Sequence, residues 1–134
     1  MISQDVEQQI PIILDVWTKA ADPERIILFG SAVRDRMTDG SDLDFLVVWK
    51  GEGFPNNRRR AGFLLRALIH KVSVPVDVIV LTPEQFEIAV SDPRTFTSMI
   101  VREGRVLYER LGRSHGVVEA RDDRPWRGAT GIRR

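Results

Sequence analysis

Two stretches of this chain have the apolar, β-branched character of strands inside a sheet, and both carry aspartate: DLDFLVVW, Asp42 to Trp49, and VPVDVIVL, Val74 to Leu81. Asp is depleted in strands, and an ionised carboxylate removed from water needs a cation or a set of donors to remain charged. Residues two apart on a strand point to the same side, so Asp42 and Asp44 project together from the beginning of their strand. Any fold that buries these two segments side by side must gather negative charge at one end of its sheet. Such a sheet calls for a ligand that answers that charge.

The rest of the chain supplies the layers around these strands. Val6, Ile10, Ile13, Leu14 and Trp17 recur at helical spacing, which predicts an amphipathic first helix. Pro11 lacks an N–H and crowds the carbonyl four residues back, so the regular helix is expected to begin there or to kink. Arg25 to Phe29 reads as a short strand ended by Gly30 and Ser31, followed by a helical turn from Ser31 to about Arg36. Ala61, Leu64, Leu65, Leu68 and Val72 predict a helix of about 15 residues with a strongly basic start. Thr82-Pro83-Glu84-Gln85 has the form of a capped helix start, and Asp92-Pro93 is expected to open another helix in the same way, ending at Gly104. RVLYE, Arg105 to Glu109, closes the domain as an edge strand. The order helix, strand, strand, helix, strand gives an α/β fold in which Asp42 and Asp77 lie on neighbouring strands.

The carboxylates and the Gly-Ser pair fit two halves of one reaction. Mg²⁺ is typically held by one or two carboxylates together with waters and substrate phosphates, and Asp42 and Asp44 at this spacing can bracket a metal pair. In two-metal phosphoryl chemistry the ions stabilise both the attacking and the leaving oxygens. Asp77, from an adjacent strand, would complete the cage and take a proton from an attacking hydroxyl. Gly30 permits close backbone approach, and N–H groups at the start of the following turn favour the terminal phosphates of a nucleotide. A lone D-x-D at a strand edge is usually a solvated turn; the fixed Gly-Ser spacing, the apolar strand and the third Asp together point to a nucleotide and metal site.

Gly30-Ser31, ten intervening residues and then Asp42-Leu43-Asp44 resembles the GSx10DxD signature of the DNA polymerase β-like nucleotidyltransferase superfamily, and the short chain resembles its minimal nucleotidyltransferase (MNT) branch, whose members are often paired with HEPN-domain toxins. The likeness is specific from about Glu24 to Leu81 and looser up to Glu109. It implies a polymerase β-like fold, a small mixed sheet flanked by helices. It further implies Asp42 and Asp44 as shared metal ligands, Asp77 as the third carboxylate, and Gly30 and Ser31 as triphosphate ligands. Arg34 takes the position of a basic residue common after the Gly-Ser pair. Many such proteins read GSRARG, whereas here Ala32 stands for the first Arg and Asp35 for the second Gly. The resemblance implies transfer of AMP from ATP, with two Mg²⁺ ions or Mn²⁺, to a hydroxyl acceptor on a HEPN-type partner, so that the chain acts as an antitoxin. Two rival readings are a binding module that neutralises a HEPN-like ribonuclease by contact alone and an antibiotic nucleotidyltransferase. Because little sequence lies beyond the catalytic sheet, the acceptor is expected to be presented in trans, by a partner or by a second copy in a homo-oligomer.

Composition narrows the class further. The 134 residues include no cysteine, which excludes disulfides and thiolate metal sites and makes a reducing, cytoplasmic compartment the expectation. No apolar run approaches the length of a membrane span. A net charge of +1 gives no global electrostatic case for direct nucleic-acid binding. The charge is uneven, because residues 111–134 hold six Arg against three acids. The expected organisation is a nucleotidyltransferase domain over residues 1–110 and a basic, extended or disordered tail over 111–134.

Overall fold

The computed structural model describes residues 4–33 and 42–110. The expected tail at 111–134 and the second half of the turn expected after Ser31 lie outside these residues. A central sheet is built from β1 (Arg25–Phe29), β2 (Leu43–Val48), β3 (Val76–Leu81) and β4 (Arg105–Glu109), in the spatial order β3-β2-β1-β4. β1 runs antiparallel to both β2 and β4, while β2 and β3 are parallel, so the sheet is mixed as the sequence implied. The β2-to-β3 crossover is made by α2 (Asn57–Ala67), since parallel neighbours require a long connection. β4 occupies an edge, as its sequence position suggested.

α1 (Gln4–Ala20) passes through Pro11 as one helix. The chain thus neither starts its helix at Pro11 nor breaks there. Ile10, Ile13, Leu14 and Trp17 on its inner stripe are buried against the sheet, and this packing holds the helix together across the missing N–H. Trp17 is the centre of that layer: its ring meets Phe45 edge-on at 5.2 Å, and its Nε1–H donates to the Leu64 carbonyl of α2 at 2.9 Å. α1 and α2 cover the sheet face that carries Leu43, Phe45 and Val47. The opposite face carries Leu46 and Val48 and is covered by the short helices α3 (Pro83–Val90) and α4 (Phe96–Glu103), through Phe86 and Ile100.

β2 and β3 are trimmed by one or two residues at their ends relative to the sequence reading, so that Asp42 falls just before β2, and two helix boundaries differ more. α2 is 11 residues long, shorter than its apolar pattern suggested, because Leu68 to Lys71 tighten into turns and His70 takes a left-handed backbone with φ +67. α4 starts at Phe96 rather than after Asp92-Pro93. The Asp92 carboxylate accepts from the Arg94 backbone N–H, and Thr95 then caps the helix by accepting from the Ser98 N–H. A local Asx turn therefore competes successfully with the earlier helix start. The capping box of α3 is present as read, with Thr82 and Gln85 bonded reciprocally.

Candidate active site

The site forms where β1 ends and β2 and β3 begin. In the sheet register Phe29 of β1 faces Asp44 of β2, and Asp44 faces Asp77 of β3. Alternation along each strand puts Asp44 on the face of Leu46 and Val48, and Asp77 on the same face beside Ile79. The apolar α3–α4 layer covers the deeper rows of that face, so among the described residues Asp77 and Asp44 of the first row stand at its open end. Asp42 stands one residue before β2 and is exposed, as is Asp77, while Asp44 is half-buried.

Gly30 binds this arrangement together. It follows β1 with φ +83, and a Cβ built there would stand 2.5 Å from the Asp44 Oδ2. Only glycine meets both conditions, the left-handed backbone and the close approach of the turn to the carboxylate. Gly30 to Ala32 form one 3₁₀ turn, closed by the Val33 N–H donating to the Gly30 carbonyl at 3.1 Å. Ser31 is half-exposed on that turn. The sequence argument gave Gly30 a role toward phosphate; the structure adds a contact with Asp44 that no local pattern encodes. Arg34 lies outside the described residues.

The Asp44 carboxyl feels the charges of both other aspartates. Burial raises the Asp44 pKa above the ordinary aspartate range, and the charges of Asp77 and then Asp42 raise it further. Among the described residues no lysine or arginine forms an ion pair with any of the three. The described side chains do not close into a ready-made cage of three metal ligands. The donor set nevertheless suits a hard divalent cation, which needs only one or two carboxylates when waters and phosphate oxygens supply the rest. Asp42 and Asp44 are the pair that would hold it, with Asp77 beside them. A concavity of about 220 Å³, lined by Asp22, Glu24, Trp49, Lys50, Gly51, Glu52 and Arg110, lies at the far end of the sheet and contains none of these residues.

A family model described as nucleotidyltransferase domain matches residues 5–108. The fold is also similar to a crystal structure from Sulfolobus solfataricus described as a candidate nucleotidyltransferase, with a TM-score of 0.53 and 22% identity over 81% of this chain and 90% of that one. No curated protein matches the chain.

Proposed function

Because this chain belongs to the nucleotidyltransferase domain family, we propose that it transfers AMP from Mg-ATP to a hydroxyl group on a partner protein of HEPN type, acting as the antitoxin of the pair. Family membership carries nucleotidyl transfer; the nucleotide, the metal and the acceptor are parts of the proposal. The observation that bears most weight is the register of Asp44 with Asp77, with Gly30 closed against the Asp44 carboxylate.

In this reading Asp42 and Asp44 hold the cation and Asp77 faces the acceptor. The acceptor oxygen attacks the α-phosphorus, its proton passes to the Asp77 carboxylate, and the bond from the α-phosphorus to the bridging oxygen breaks to release pyrophosphate. The metal, when bound, offsets charge on the α-phosphate and on the departing pyrophosphate. Gly30 and Ser31 offer backbone N–H groups to the terminal phosphates. Asp77 is exposed on the outermost strand on its side of the sheet. The approach to it is open among the described residues, which supports an acceptor presented by another molecule.

The test is intact-mass spectrometry of a HEPN-type partner after incubation with this protein, ATP and Mg²⁺. A gain of one or more AMP units with the wild type and none with Asp77→Ala is the expected result. Neutralisation of the partner with no mass gain, undiminished in a triple aspartate variant, would instead establish neutralisation by contact alone.

A further inference from the structure

The side of the site away from Asp77 holds an aromatic pair to which the reaction above gives no role. Phe29 lies in register with Asp44, on the opposite side from Asp77, and adjacent strands are about 4.8 Å apart. Phe96, the first residue of α4, meets Phe29 edge-on with ring centroids 5.9 Å apart at 85°. One turn further on, Ile100 is 1% exposed, whereas Phe96 remains 55% exposed. The helix therefore buries its apolar stripe through Ile100 and leaves a large ring standing in solvent against Phe29, the register neighbour of Asp44.

We propose that Phe96, braced by Phe29, is the stacking wall for the base of the bound nucleotide and hence a specificity-determining residue that favours nucleoside triphosphates over bare polyphosphates. This rests on the nucleotidyl-transfer reading. The placement selects the base over the acceptor as the occupant. Asp77 marks the acceptor side, and the phosphate-binding turn at Gly30 directly follows Phe29 in the chain. A nucleotide whose phosphates lie on that turn extends over the β1 side of Asp44, where the exposed ring stands. Every base has a π-face, so such a wall is tolerant of base identity and discriminates against ligands without a base.

Calorimetric titration of the full chain with ATP and, separately, with inorganic tripolyphosphate, both with Mg²⁺, tests this. The wild type should bind ATP more tightly than tripolyphosphate. Phe96→Ala and Phe96→Leu should each weaken ATP by about tenfold, the scale of one lost base–aromatic stack, and leave tripolyphosphate unchanged. Phe96→Trp should restore ATP affinity, a rescue that a packing role alone does not predict. The Leu and Trp variants keep the test valid if Phe96→Ala fails to fold. Equal weakening of both ligands, or no change for ATP, would overturn the stacking role. Wild-type affinity for tripolyphosphate equal to that for ATP would overturn it too, while leaving nucleotidyl transfer standing. Binding of neither ligand would overturn both.

Discussion

Gly30 and Asp44 are coupled tightly enough that a single methyl group tests the site. Gly30→Ala imposes a left-handed backbone on an L side chain and drives its Cβ against the Asp44 carboxylate. The expected cost is on the order of 1–3 kcal/mol, read as a lowered midpoint in denaturant unfolding, together with loss of ATP binding. Asp44 itself carries a penalty in the free protein. Its folded-state pKa is raised by burial, Asp77 and Asp42, so between the ordinary aspartate value and the raised one the native state binds more protons than the unfolded state. Stability from this group therefore falls as pH rises through that window and is regained as pH drops through it. Asp44→Asn, without metal or nucleotide, should melt higher than the wild type at pH 7, and the advantage should shrink as the pH is lowered through the window. An Asn variant no more stable than the wild type at pH 7 would mean that the charge cluster is relieved some other way.

The helices and strands were legible where the local pattern was strong. The apolar run from Phe45 to Trp49 marked β2, and the 3.6-residue stripe of Ile10, Ile13, Leu14 and Trp17 marked α1 despite Pro11. What decided the Pro11 question was tertiary: Trp17 fills the space between Phe45 and Leu64, and that packing outweighs one lost hydrogen bond. Trp17→Ala should accordingly cost about 3–5 kcal/mol, visible in denaturant unfolding, whereas loss of an exposed residue such as Ile12 should cost far less. The α4 start was misread because Asp92-Pro93 has the composition of a helix opening, while the hydrogen bonds that settle it also come from Thr95 and Ser98, whose hydroxyls both donate to the Ala89 and Asp92 carbonyls. The candidate site was legible in its residue types and spacing. The Gly30–Asp44 contact and the Phe29–Phe96 pair were not, because each joins residues from different elements that only the register brings together.

At the scale of the molecule, one sheet face is closed by α1 and α2, and the other, among the described residues, is closed in its deeper rows and carries carboxylates at its open end. The protein thus spends its apolar burial away from the site and accumulates like charge within it. A cation and a nucleotide should consequently stabilise the fold together more than the sum of their separate effects, since phosphate oxygens complete the cation's coordination. Asp42→Asn should remove that synergy in a melting assay. The most direct test of the catalytic reading follows the label rather than the fold. Wild-type protein, Mg²⁺ and the proposed HEPN-type partner are incubated in parallel with ATP labelled at the α-phosphate and ATP labelled at the γ-phosphate. The account predicts that α-label joins the partner and γ-label leaves in pyrophosphate, with both events abolished by Asp42→Asn. Transfer of γ-label to the partner, or transfer of α-label that survives Asp42→Asn, would contradict it.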